Sequence, residues 1–242
     1  MNKKYVLILG ASSSIGCELI RQLSDEETII LAHYYSEKER LEDLQVDSKG
    51  RLVLIQADLS HEPGIESLIE LVTKECRCPN KIVFLAAPRL YLTRFKDLTR
   101  EDFKRQIDMP LNTAFSILNR YLPEMASDKY GKIVFMLSSY TLGKPPSAMA
   151  HYVTAKYALL GLMKALACEY AGKNICINAV SPSMIETDFL SDIPEKIVEL
   201  TAQQHPRKRN GQPADVAPVI KFLLSDDASY LTGVNIPVTG GI

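Results

Sequence analysis

Apolar residues fall along the chain in short unbroken runs, separated by longer stretches of mixed polarity. The run Val6-Leu7-Ile8-Leu9 has no alternation, which suits a strand covered on both faces of a parallel sheet. Strand-like runs begin near Tyr5, Thr28, Leu52, Lys81, Lys132, Asn174 and Val234. Amphipathic stretches lie between them, for instance Ile15 to Leu23 and Ile65 to Cys76. A longer one extends from about Thr99 to Met125 and opens on Thr99-Arg100-Glu101-Asp102, a capping start. Pro110 falls inside it, where its ring removes the bond to the Gln106 carbonyl and is expected to bend the helix. The alternation predicts strand–helix–strand units: an α/β fold with a doubly wound parallel sheet between two layers of helices. With no repeat, linker or break in composition, residues 1–242 read as a single domain.

Composition narrows the function classes. A chain 46% hydrophobic and 24% charged can bury a full core. A net charge of -1 gives no electrostatic case for nucleic acid or an anionic membrane. No apolar run approaches the ~20 residues of a membrane span, and the short run after Met1-Asn2-Lys3-Lys4 leads straight into Gly10, unlike a signal peptide. Five cysteines, an odd number without framework spacing, point to reduced thiols and a cytoplasmic protein. Cys76-Arg77-Cys78 has no histidine near it, so no metal site is expected.

Candidate chemistry sits at the strand ends. After the first strand, Gly10-Ala11-Ser12-Ser13-Ser14-Ile15-Gly16 is a turn of small residues running into a helix. Such a turn lets backbone N–H groups approach a pyrophosphate, although plain turn chemistry also fits. The second strand ends in His33, Tyr34, Tyr35 and Ser36, with no acid to bind the ribose hydroxyls of NAD. Hydroxyls there, with Lys38 and Arg40 beyond, favour the 2′-phosphate of NADP over NAD; those cations also fit a solvated helix face with Glu37, Glu39 and Glu42. Asp58 and Leu59 follow the third strand where an adenine ring would lie, and Asp58 equally suits a turn or cap. Ala86 and Ala87 at the end of the fourth permit close approach of a ligand. Arg89, just after that strand, could meet an acidic group of a substrate, though arginines there are usually solvated.

The fifth strand delivers Ser138-Ser139, and the next helix carries Tyr152 and Lys156, four residues apart on one face. A phenol with a solution pKa of about 10 is expected to move toward the phenolate beside an ammonium. Tyr152 can then pass a proton to or from a substrate oxygen that Ser138 polarises. A surface Tyr–Lys pair is the plain alternative.

These marks together resemble the short-chain dehydrogenase/reductase family across essentially the whole chain: the turn from Gly10 to Gly16, Asp58, Ser138, Tyr152 with Lys156, and Ile177-Asn178-Ala179-Val180-Ser181-Pro182. Thr187 stands five after Pro182, as in the family's segment that contacts the nicotinamide amide. Arg209-Asn210-Gly211-Gln212-Pro213 and the tail through Leu231-Thr232-Gly233 to Gly240-Gly241 also match. The resemblance implies a Rossmann-like fold and hydride transfer between NADP or NAD and a small carbonyl or alcohol, with Ser138, Tyr152 and Lys156 catalytic. It implies cofactor contacts at Gly10, Ser12, Ser13, Ser14, Ile15, Gly16, His33, Tyr34, Ser36, Asp58, Leu59, Ala86, Ala87, Pro182, Ile185 and Thr187, besides Tyr152 and Lys156. A homo-oligomer, dimer or tetramer, built partly through the two long helices is implied too.

The chain also departs from the family pattern. Ser14 replaces the middle glycine, where a positive φ would be strained. Leu85-Ala86-Ala87-Pro88 replaces Asn-Asn-Ala-Gly, so other groups must satisfy the backbone atoms those amides bind. Pro110 replaces the active-site asparagine of a water relay, and Asn112 lies roughly 200° round the helix; the freed Gln106 carbonyl is a candidate to hold the water. Spacing back from Tyr152 would make Ser139 the catalytic serine, whereas strand register favours Ser138. These losses keep open a scaffold or regulatory protein with little catalysis. Ile185, Phe189, Ile193, Ile197 and Leu200 form an apolar face of a lid or of ordinary packing.

Overall fold

The computed structural model describes residues 4–25, 27–47 and 51–242. Its strands are β1 (Lys4–Leu9), β2 (Thr28–Tyr34), β3 (Leu52–Gln56), β4 (Lys81–Phe84), β5 (Gly131–Met136), β6 (Ile175–Pro182) and β7 (Asn235–Val238). Each begins within one residue of its expected start. They form one parallel sheet in the order β3-β2-β1-β4-β5-β6-β7.

Side chains alternate strictly across that sheet. Leu7, Leu9, Ile82, Phe84, Ile133 and Phe135 face one core, shared with helices α3 (Glu62–Glu75), α4 (Arg100–Asp128) and α5 (Ala150–Tyr170). Val6, Ile8, Val83 and Val134 face the other, shared with α1 (Ser14–Leu23), α2 (Glu39–Asp47) and α7 (Pro213–Leu224). Both faces are covered, which is why the strands read as unbroken apolar runs. The last described helix, α6 (Glu195–Gln204), lies outside these two layers. Among the described residues, no helix is long and apolar enough to cross a membrane.

Register levels the carboxyl ends of the central strands. Leu9 pairs with Phe84, Phe84 with Phe135, and Phe135 with Ala179. The residues that follow therefore meet along one edge. The winding also reverses at β1, whose neighbours are β2 and β4, and the crevice of an open α/β sheet forms at such a switch point.

Two turns at this edge are set by close packing. Gly10 has φ of +79°, and a Cβ there would lie 2.8 Å from the Ala86 nitrogen. The N–H groups of Leu85 and Ala86 both donate to the Leu9 carbonyl, each at 2.9 Å. Those bonds answer the loss of the two expected amides: the backbone after β4 folds onto β1 and satisfies it directly. Farther along, Thr99 caps α4 by accepting from the Asp102 N–H at 3.1 Å. The helix then continues through Pro110 to Asp128 without breaking.

Gly10→Ala should lower stability by about 1–3 kcal/mol, because left-handed strain and a backbone clash coincide. Urea unfolding measures this, and an unchanged midpoint would contradict the close approach.

Candidate active site

A cavity of about 920 Å³ opens along the carboxyl edge of the sheet. That volume lies within the range of ligand pockets. Ser138, at the tip of β5, lines it together with Tyr152 and Lys156 from the first turns of α5. All three are buried, at 5%, 9% and 7% exposure. The Lys156 ammonium lies 5.5 Å from the centre of the Tyr152 ring and donates to the Met136 carbonyl at 2.8 Å. The spacing of four places both on the inner face of α5, and the bond to β5 fixes the ammonium from behind. Ser139 also lines the cavity, half-buried where Ser138 is buried.

Burial dominates the electrostatics. It pushes the Tyr152 phenol up to about 12, against a smaller opposing pull from the Ser138 hydrogen bond. Burial likewise brings Lys156 down to about 8. The expected drift of Tyr152 toward phenolate is thus reversed here: desolvation penalises the anion more than the pull of Ser138 favours it. At neutral pH the site holds a protonated phenol, ready to donate, beside an ammonium close to its own titration.

The other end of the cavity is built as a cradle. Ser13 caps α1, accepting from the Gly16 N–H at 3.1 Å and donating to the Gly10 carbonyl at 2.8 Å. The first-turn N–H groups of Ser14 and Ile15 have no helical acceptor, and both residues line the cavity with Gly10, Ser12 and Ser13. This arrangement fits a pyrophosphate. Asp58, Leu59, Ala86, Ala87, Pro182, Ile185 and Thr187 line the same cavity, as do His33 and Ser36. Asp58 also serves its turn, accepting from the Ser60 N–H at 2.9 Å.

Two expected contacts do not line the cavity. Tyr34 turns into the core between sheet, α1 and α2, because alternation along β2 sends it opposite to His33. Tyr35 lines the cleft in its place. Gly16 sits below the cradle, where a Cβ would meet the Ala11 carbonyl at 2.4 Å; it lets α1 pack tightly against the turn. Of the expected cations, Lys38 pairs with Glu42 at 2.9 Å, while Arg40 lines the cavity and pairs with Asp188 at 2.5 Å.

The lid segment does not form the single apolar face expected of it. Ile185 joins the core of α1 and α7. Phe189, Leu190 and Ile193 pack around Tyr152 with Leu90 and Met149, and Phe189 lies 6.3 Å from the phenol ring. Ile197 and Leu200 are exposed. Tyr140, Leu90, Met109 and Arg105 also line the cavity. No motif marked them, since they reach it through loop and helix geometry.

A family model described as Enoyl-(Acyl carrier protein) reductase matches residues 10–242. The chain is 30% identical to the 3-oxoacyl-(acyl-carrier-protein) reductase FabG of Staphylococcus aureus, over 99% of this chain and 98% of that protein. It is 30% identical to an acetoacetyl-CoA reductase of Acinetobacter, with the same two coverages. It belongs to the short-chain dehydrogenase/reductase family. Among solved structures, levodione reductase superposes with a TM-score of 0.88 at 27% identity, covering 98% of this chain and 96% of that one. YwfH, an NADPH-dependent reductase involved in bacilysin biosynthesis, shares the fold at 22% identity with a TM-score of 0.88.

This short-chain dehydrogenase/reductase is an NAD(P)-dependent oxidoreductase, and the structure accommodates two of its departures from the family pattern locally. Ser14 is not among the residues with positive φ: it already opens α1, so serine there carries no strain. Asn112 is exposed and cannot reach the cavity. Gly10 gains a partner from β2, where the His33 Nδ1 accepts its N–H at 3.0 Å and the Nε2 lies 3.1 Å from the Ala57 carbonyl. The ring therefore carries its proton on Nε2, and both nitrogens are committed to bracing β1, β2 and β3.

Burial brings the His33 imidazole down to about 4. Between pH 6.5 and 4 the unfolded chain binds a proton here that the folded chain refuses. The brace is therefore fully stabilising above pH 6.5 and is lost as pH falls toward 4. Wild-type stability should drop by about 2 kcal/mol from this group between pH 7 and pH 5, and His33→Gln should lose that component of the slope. Urea midpoints at the two pH values test this; parallel slopes in wild type and variant would refute it.

Proposed function

We propose that this protein is a carbonyl reductase that prefers NADP, acting reversibly as an alcohol dehydrogenase on a small substrate. The observation that carries the reading is the convergence of Ser138, Tyr152 and Lys156 in one cavity with the dinucleotide cradle. A reduced nicotinamide, when bound, supplies the hydride. Ser138 and Tyr152 place two hydroxyl donors in one cavity, a pairing suited to a carbonyl whose charge grows as hydride arrives. Tyr152 gives its proton to that oxygen. Lys156, held by the Met136 carbonyl, stabilises the phenolate left behind. The relatives' names support a carbonyl substrate, since 3-oxoacyl and acetoacetyl groups and levodione all carry ketones.

The preference for NADP rests on Tyr35, Ser36 and Arg40, which line the cavity together with Glu37, and on the lack of an acid within the last residues of β2. Assembly through the outer faces of α4 and α5, where Phe115 and Tyr157 are exposed, and a cytoplasmic setting complete the proposal.

Tyr152→Phe should lower turnover by about 10²–10⁴-fold while dinucleotide affinity, read by NADPH fluorescence, changes little. Turnover within a few-fold of wild type would remove the assignment. Reduction should also weaken as pH rises through about 8, where Lys156 loses its charge; a kcat profile flat from pH 7 to pH 9 would contradict that role. Arg40→Gln should weaken NADPH about tenfold and NADH little, as expected for a lost charge-assisted phosphate contact. Equal effects on the two nucleotides would overturn the preference.

A further inference from the structure

The proton-transfer groups leave part of the cavity's charge unused. Arg40, Arg89 and Arg105 all line it. Two of them are neutralised, Arg40 by Asp188 and Arg105 by Asp102. The Arg89 guanidinium has no hydrogen-bond or ion-pair partner among the described residues.

The backbone that carries Arg89 is nevertheless held from every side. Pro88 precedes it and fixes its own φ. The Arg89 carbonyl accepts from the Gln106 Nε2 at 2.8 Å, and Gln106, 2% exposed, is a buried amide committed to that bond. Leu90 packs into the apolar cluster of Tyr152, Met149 and Ile193. Tyr91 stacks on His151, the residue before the phenol, with ring centres 4.6 Å apart. Arg89 is itself exposed, a free cation on a clamped loop one residue from a side chain packed with Tyr152.

We propose that Arg89 binds an anionic group of the substrate, so that the carbonyl compound reduced here carries a carboxylate or a phosphate-like group a short apolar span from its ketone. This deepens the carbonyl-reductase reading and rests on it. The guanidinium fork matches either anion in two parallel hydrogen bonds, and Leu90, Phe189 and Ile193 suit the apolar span. The competing partner is Asp192 of the lid, which lines the same cavity and has no ion pair among the described residues.

Three probes separate these possibilities: 4-oxopentanoate, its methyl ester and 2-oxopropylphosphonate. Their affinities for the NADP-loaded protein are measured by NMR titration, and their reduction by loss of NADPH absorbance. Wild type should bind at least one anion about tenfold more tightly than the ester, and the better anion identifies the group. Arg89→Gln should erase that preference, raising KM for the anion about tenfold with kcat little changed and the ester unmoved. Arg89→Lys, which keeps the charge without the fork, should fall between. Equal wild-type affinity for acids and ester overturns the inference. So does an equal loss for all three probes, and the same loss in Asp192→Asn would assign Arg89 to closing the lid. Arg89-dependent anion binding in a protein that oxidises no NADPH with any probe would uphold the anion site and sink the reductase reading instead.

Discussion

Removing one phenol and one ammonium from water is the constraint on which this structure turns. Tyr152 and Lys156 are each less than one-tenth exposed. Burial opposes charge on both, so it holds the phenol protonated and brings the ammonium down toward neutral titration. An exposed Tyr–Lys pair on a helix would have ordinary titrations and no such function. The rest of the fold is needed to hold that desolvation: the lid residues Phe189 and Ile193 and the loop residue Leu90 cover the phenol, and the Met136 carbonyl receives the ammonium.

The parallel sheet makes this possible by bringing chain segments far apart in sequence to one level. Paired residues at the ends of β1, β4, β5 and β6 differ little in height, so a turn, two small alanines, a serine and a proline open on one crevice. The departures from the family pattern show which parts of that edge are required by geometry. An amide brace can be replaced when the backbone after β4 donates twice to Leu9 and an imidazole accepts from Gly10. A glycine can be replaced where the helix has already begun. Gly10 cannot, because its φ and its contact with Ala86 both exclude a side chain.

Much of the fold was legible because each signal was local and repeated. Apolar runs located the start of every strand to within a residue, although β4 ends at Phe84, before the Leu85-Ala86-Ala87-Pro88 stretch read with it, and the Thr99 cap located α4. The candidate catalytic trio was legible because a spacing of four puts Tyr152 and Lys156 on one helix face and the other family marks accompany it. What escaped depends on direction and long-range contact. Tyr34 and Tyr35 exchange roles according to which face of the sheet β2 presents. The Arg40–Asp188 pair joins residues 148 apart, and no local pattern announces it. The sign of the Tyr152 shift escaped for a related reason: a neighbouring cation can be read from sequence, but the depth of burial that outweighs it cannot. The free guanidinium of Arg89 stands out only once the other arginines of the cavity are seen to be paired.

The central claim is that burial keeps the Tyr152 phenol protonated until positive charge enters the site. Its most direct test is the titration of Tyr152 itself, followed through the Cζ resonance of protein labelled with carbon-13 tyrosine and assigned against Tyr152→Phe. The account predicts a phenol that titrates near 12 in the free protein and clearly lower with NADP⁺ bound, but not with NADPH. A phenol that titrates near the ordinary value of about 10 in all three states would contradict it.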